Sequence, residues 1–211
     1  STRRNFRREL DAALVEFDAN EGDLPETLAF DGAVVTGSRS SVYWQESWIP
    51  ALIDWLAEAA EAGLPILGVC YGHQALAEAL GGRVAGMDDA EIGYRTIERR
   101  GDDELFAGID EQFTAFTTHS DTVVDLPPGA TLLAENDFGV HAFRKNRCWG
   151  VQFHPEYDSE TARQITRSKD LPAARLERVL DGIDADNYAA ACETKQLFDN
   201  FLSSVRRLAA E

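Results

Sequence analysis

A cysteine bracketed by glycines constrains this chain more than any other feature. The segment Gly68-Val69-Cys70-Tyr71-Gly72 follows an apolar run over 64–69 and precedes a helical pattern over about 73–80, which Gly81-Gly82 closes. A G-x-nucleophile-x-G sequence between a strand and a helix is the signature of a sharp corner. Its glycines let the backbone turn without steric penalty, and the central side chain projects from the top of a sheet. The following helix aims its N-terminal N–H groups at the sulfur, which favours the thiolate. A free cysteine is more often a small buried hydrophobe. Two glycines at a strand–helix junction reverse that expectation for Cys70.

A corner of this kind belongs to an α/β sheet, and the rest of the chain reads accordingly. The pattern predicts a helix over 4–13, a short strand over 14–17, a polar loop over 18–25 and a strand over 32–35. An amphipathic helix over 46–62 follows, with Trp48, Leu52, Trp55 and Leu56 at helical spacing. Strand-like runs at about 93–98, 113–118, 131–135, 139–144 and 148–153 are separated by Gly, Pro and Asp turns. The stretch 159–210 is helical again, with breaks near Pro172 and Gly182. Neither a repeat nor a low-complexity linker interrupts the chain. The expectation is one domain over 1–211, an α/β three-layer fold with a mostly parallel central sheet and helices on both faces. Such a sheet normally opens with a strand, whereas this sequence opens with a basic helix. The expectation is therefore a strand upstream of residue 1, or a sheet one strand short.

A thiol with an ordinary pKa near 8.5 needs a base at neutral pH. The candidates are His73, His119, His141 and His154. His73 falls inside the predicted helix and would point along it. His154 ends the apolar strand over 148–153, and catalytic groups on such sheets gather at strand carboxyl ends. Glu156 follows at i+2 beyond Pro155. Its carboxylate can fix the imidazole tautomer that leaves the other nitrogen free for the thiol. An ordinary surface His-Pro-Glu turn would look the same in isolation. Acyl transfer also needs oxyanion donors. The N–H of Tyr71 supplies one, and the turn Thr36-Gly37-Ser38 at another strand end is placed to supply a second.

Taken together, the motifs resemble those of class I, triad-type glutamine amidotransferases. Gly68 to Gln74 resembles the nucleophile motif and Val151 to Glu156 the His-Pro-Glu motif. Thr36 to Tyr43 resembles the oxyanion turn of the glutaminase part of GMP synthases, and Thr118-His119-Ser120-Asp121 a glutamine-pocket segment of that group. The resemblance runs over about 31–156, with a weaker match at 197–202. It implies a flavodoxin-like three-layer sheet and a Cys70–His154–Glu156 triad that opens the glutamine side-chain amide through a γ-glutamyl thioester. It further implies oxyanion donors at Gly37 and Tyr71, and substrate contacts at Gln74, Thr118, His119, Ser120 and Asp121. It calls for no cofactor and no metal. Ser38 and Arg39 depart from the glycine and proline usual in GMP synthases. The stretch 157–196 is extra, and is expected to form helices packing beside the site or against a partner.

The sequence carries neither G-x-x-x-x-G-K-[ST] nor S-G-G-x-D-S, so ATP-dependent activation of an ammonia acceptor would fall to a separate synthase subunit. The alternatives are a stand-alone γ-glutamyl peptidase or hydrolase using the same triad, and a non-catalytic subunit that keeps the fold. An intact Cys-His-Glu set argues against the last.

Composition narrows the setting. No apolar run approaches the roughly 18 residues that span a bilayer, and the four arginines within 1–8 lack the apolar core of a signal peptide. Neither a membrane partner nor a signal for export is expected. Three widely spaced cysteines, Cys70, Cys148 and Cys192, fit a reducing cytoplasm and argue against a disulfide framework or structural zinc. Thirty-seven acidic residues against 20 basic ones give a formal net charge of -17, which argues against nucleic-acid binding. Only Lys145, Lys169 and Lys195 are lysines. A scattered acidic shell poor in lysine suits concentrated salt, where the Debye length falls to roughly 3 Å at 1 M and self-repulsion is screened. A merely acidic protein of ordinary salt is the alternative. The halophilic reading predicts loss of the far-ultraviolet circular dichroism signal when molar salt is dialysed to millimolar. A signal unchanged across that range would count against it.

Overall fold

The computed structural model describes residues 2–210. Its element order is α1 (Thr2–Glu9), β1 (Ala33–Val35), α2 (Trp48–Glu61), β2 (Ile66–Val69), α3 (Tyr71–Ala79), β3 (Arg83–Arg99), β4 (Gln112–Asp125), β5 (Thr131–Asn136), β6 (Gly139–Lys145), β7 (Cys148–Val151), α4 (Ser159–Arg167), α5 (Ala173–Asp181), α6 (Ala185–Ala191) and α7 (Gln196–Ala209). The strands form one seven-stranded sheet in the order β1-β2-β7-β6-β5-β3-β4. β1, β2 and β7 run parallel to one another, whereas β7-β6, β6-β5, β5-β3 and β3-β4 pair antiparallel.

The three layers follow from how the parallel strands sort their side chains. Every residue of β2 and β7 is buried, as expected of strands covered on both faces. Leu67 and Val69 of β2, with Trp149 and Val151 of β7, pack against Phe6 and Leu10 at the N-terminal end and against Leu197, Phe198, Phe201 and Val205 of α7. Ile66 and Cys148 face the other way, into a cluster with Trp48, Ile49, Leu52 and Leu56 of α2 and Ala75 and Leu76 of α3. Residue alternation along a strand thus decides which helix pair it meets. A third cluster, Phe116, Tyr157, Ala162 and Ile183, joins the 157–196 segment to β4.

Two sequence expectations need correction. Residues 14–17 are not a strand: they form no ladder, and Leu14, Val15 and Phe17 are exposed. A β-rich composition makes a strand only when a neighbour offers hydrogen bonds. The long β3 begins at Arg83, ten residues before the run expected at 93, because Arg83–Gly86 pair with the end of β4. A register shift between Gly86 and Glu91 interrupts that ladder, and its polar, irregular stretch hides the strand from periodicity.

Close packing fixes the corner. A Cβ on Gly72 would lie 2.1 Å from the Val35 carbonyl oxygen, and one on Gly68 would lie 2.4 Å from the Gly72 oxygen. Backbone atoms cannot yield as a flexible side-chain end can. Gly72→Ala is therefore predicted to lower unfolding stability by about 3 kcal/mol, read as a shift in denaturant midpoint. Gly101→Ala, whose nearest atom would be 4.0 Å away, should change it by less than about 0.5 kcal/mol.

Candidate active site

Cys70 sits between β2 and α3 at φ 54° and ψ −104°. Positive φ is costly for a residue with a side chain, and such outliers concentrate at functional sites. The strain is held by the two glycine contacts above and by Cys70 N–H donating to Val151 O at 2.8 Å. Tyr71 opens α3, so its amide has no acceptor within the helix and remains available near the sulfur.

His154 follows β7 and is buried, with its backbone N–H donating to Phe116 O at 2.9 Å. Its Nδ1 lies 2.9 Å from Glu156 Oε1. The Tyr157 ring stacks on the imidazole at 4.1 Å between centroids and 16° between planes. Gly37 closes the third side. A Cβ there would lie 3.2 Å from His154 Cε1 and 4.0 Å from Cys70 Sγ, so thiol, imidazole and the turn after β1 converge on one point. The expected triad and both expected oxyanion residues thus come together at the carboxyl ends of the three parallel strands.

Electrostatics suit proton transfer. Burial works against charge on His154, but the charges of Glu156 and Cys70, with hydrogen bonds to both, raise its pKa to about 10. His73 is the opposite case: burial, together with nearby His141 and His119, lowers its pKa to about 3, and its ring packs 5.1 Å from Phe143. It is no base at neutral pH. Cys148 is buried on β7 among apolar side chains, and burial pushes its thiol up to about 11.

The expected substrate segment forms a connected wall. Gln74 Nε2 donates to Asp121 O at 2.9 Å and to Gln152 Oε1 at 3.0 Å. The Asp121 carboxylate accepts from Ser41 Oγ and from Tyr43 OH. His119 has both ring nitrogens engaged, with Asp121 O at 2.8 Å and Glu91 Oε2 at 2.7 Å. Gln74, His119 and Asp121 therefore use their polar side-chain atoms to hold the wall. Thr118 Oγ1 is buried without a hydrogen-bond partner among the described residues, and Ser120 is exposed.

Several contributors carried no readable signal. Arg8 of α1 donates to Glu156 O at 3.0 Å and to Asp158 Oδ2 at 2.8 Å, and buried Asn5 donates to Thr161 Oγ1 at 2.9 Å. The basic first helix thus pins the turn behind Glu156. Arg39 donates to Ser168 Oγ at 3.3 Å, and neighbouring Lys169 lies within electrostatic reach of Cys70. The turn after α4 therefore lies beside the site. Local sequence cannot reveal such pairings across the chain, although arginines flanking a motif are a weak hint.

A strained cysteine facing a carboxylate-supported imidazole, with backbone donors beside it, is the constellation of cysteine-dependent acyl transfer on an α/β sheet. The chain belongs to the family described as Glutamine amidotransferase class-I, whose model matches residues 2–169. It is 38% identical over 144 residues to "GMP synthase [glutamine-hydrolyzing]" of Thermomicrobium roseum, covering 68% of this chain and 26% of that protein. It is 33% identical over 174 residues to the protein so named in Staphylococcus aureus, covering 81% of this chain and 30% of that one. The chain thus spans about a quarter to a third of these curated relatives. Among solved structures, a glutamine amidotransferase from Thermotoga maritima superposes with a TM-score of 0.76 at 22% identity, covering 96% of this chain and 90% of that one. One from Methylobacillus flagellatus gives 0.80 at 20% identity, with 95% and 87% covered. These neighbours share the fold. No helix among the described residues is long and apolar enough to cross a membrane.

The raised pKa of His154 has a consequence for stability. Its folded value lies above the unfolded one near 6.5, so the imidazolium stabilises the fold fully below about 6.5 and ceases to do so as pH rises through about 10. Unfolding midpoints in urea should fall between pH 7 and pH 10. Glu156→Gln removes the largest charge that raises the pKa, and should flatten that slope. An equal slope in the variant would refute the pairing.

Proposed function

We propose that this chain hydrolyses the side-chain amide of glutamine, with Cys70 as nucleophile, His154 as its acid–base partner and Glu156 holding the imidazole. The observation that carries the reading is the convergence of strained Cys70, buried His154 and Gly37 at one point. Cys70 Sγ attacks the carboxamide carbon, and the amide N–H groups of Gly37 and Tyr71 receive the charge growing on its oxygen. His154 passes its proton to the departing nitrogen as the C–N bond breaks, leaving ammonia and a γ-glutamyl thioester. Water then attacks the thioester carbon, giving its proton to His154, and the C–S bond breaks to release glutamate.

The likeness to GMP synthases, of which this chain covers only about a quarter to a third, supports delivery of the ammonia to a synthase on another chain or domain. The three free cysteines support a reducing, cytoplasmic setting. A second reading, an autonomous γ-glutamyl hydrolase, draws on the turn after α4 that meets Arg39 beside the thiol. This contact lies within the extra 157–196 segment, which we read as a helical insertion serving the site's rim.

Ammonia release from glutamine, with and without cell extract, separates the readings. Stimulation by extract supports partnered delivery, whereas greater activity on γ-glutamyl dipeptides or folate polyglutamates, independent of extract, supports the hydrolase. Cys70→Ser should lower either activity by about a thousandfold or more. A glutamine-like electrophile should label Cys70 and spare Cys148 and Cys192. Labelling on Cys148 instead would overturn the assignment.

A further inference from the structure

Behind the pocket wall, Glu91 of β3, His119 of β4 and His141 of β6 meet in the interior. All three are buried, and one ligand atom from each lies within 4.8 Å of the others. Glu91 and His119 are directly paired across the β3-β4 ladder, just past the register shift that ends at Glu91. Both imidazole Nε2 atoms lie close to the same carboxylate oxygen: Glu91 Oε2 is 2.7 Å from His119 and 3.0 Å from His141.

The hydrogen count around His119 is informative. Its Nδ1 lies 2.8 Å from a backbone carbonyl, Asp121 O, which can only accept. Nδ1 therefore carries a hydrogen, and a neutral ring presents a lone pair at Nε2. That lone pair would face a carboxylate lone pair at hydrogen-bond distance, so a positive charge must offset it, either a second ring proton on Nε2 or a metal ion held by both atoms. His141 brings a third ligand atom close to the same oxygen, and neither of its buried ring nitrogens makes an aligned hydrogen bond among the described residues.

The surroundings resemble the outer shell of a metal centre. A ligating histidine usually donates its second ring N–H to a carbonyl or carboxylate, as His119 does to Asp121. The remaining carboxylate oxygen, Glu91 Oε1, accepts from Asn136 Nδ2 at 2.7 Å, and the Asn136 amide is oriented by Phe138 N–H donating to its Oδ1 at 2.8 Å. Arg95 Nε lies 3.9 Å from that same oxygen, away from the one both imidazoles share.

We propose that Glu91, His119 and His141 form a binding site for a divalent transition metal of the zinc class. Two imidazoles and one carboxylate suit zinc, cobalt or ferrous iron; with metal–ligand bonds of about 2.0–2.1 Å a tetrahedral ion holds its ligand atoms about 3.3 Å apart, so binding would widen the 2.7 and 3.0 Å N···O separations by a few tenths of an ångström. The site would tie three strands together directly behind Asp121, whose carbonyl and carboxylate brace Gln74, Ser41 and Tyr43. It is separate from Cys70 and takes no part in the acyl-transfer steps above.

The test uses the full chain carrying Cys70→Ser, which removes thiolate binding at the other site. The protein is stripped with a chelator and titrated with cobalt(II), then with zinc(II). Expected are about one equivalent of cobalt with visible d–d absorption, no thiolate-to-metal charge-transfer band, and a rise in melting temperature on binding. Adding His141→Ala or the near-isosteric Glu91→Gln should weaken binding by more than about tenfold, with circular dichroism confirming that each variant folds. Absence of the d–d band would overturn the proposal and leave a shared proton between His119 and Glu91. So would a charge-transfer band, or a folded variant that binds cobalt as tightly as its parent.

Discussion

The contact between the first turn of α3 and the edge of the sheet sets the terms for everything else. With Gly72 pressed on the Val35 carbonyl and Gly68 on the Gly72 backbone, the chain has no room to leave β2 by a relaxed route. Cys70 takes the residual strain as a positive φ. The close approach also brings β1 and its following turn against Cys70, so Gly37 reaches the sulfur because Gly72 lacks a side chain. The strained cysteine and the backbone turn set beside its sulfur thus follow from one steric fact.

The second half of the site depends on burial. An imidazole–carboxylate pair at the surface would be screened and weak. Here His154 and Glu156 lie inside the protein, roofed by Tyr157 and pinned from behind by Arg8. Burial alone would strip the proton from His154. Glu156, with the adjoining Cys70 sulfur, reverses that outcome, whereas His73 has no such neighbour and its pKa falls. Two histidines of similar burial therefore differ in role because of what faces them.

Much of this could be read from the sequence where local geometry and chemistry coincide. Gly68, Cys70 and Gly72 name their own corner, and His154 and Glu156 lie two residues apart at a strand end. The apolar runs that became β2 and β7 are short and wholly buried, so composition sufficed. The start of β3 was missed because Asp88, Asp89 and Glu91 break any period-two pattern, and 14–17 was misread because strand formation depends on a neighbour. Arg8, Tyr157 and the Glu91–His141 contact were beyond reach for a different reason: each acquires its meaning from a residue brought near only by the fold.

The sheet itself divides the labour. Its parallel trio, β1, β2 and β7, leads into the Gly37 turn, Cys70 and His154, while the antiparallel strands carry the wall. Gln74 joins the two halves by bonding Asp121 of β4 and Gln152 beyond β7 through a single amide nitrogen. A buried donor left without its acceptor costs about 1–3 kcal/mol, so moving either half away from the other is penalised at that nitrogen. The network ties Gln74 to Gln152 and the Asp121 carbonyl, His119 to Glu91 and that same carbonyl, and the Asp121 carboxylate to Ser41 and Tyr43, which makes the wall rigid before any ligand arrives. Capacity for a polar ligand then falls to backbone atoms and to the few unsatisfied side chains, Thr118 Oγ1 and Gln152 Nε2 among them. A pocket of this kind selects by shape and fixed hydrogen-bond positions rather than by adjustable side chains, as preorganised acyl-transfer chemistry requires.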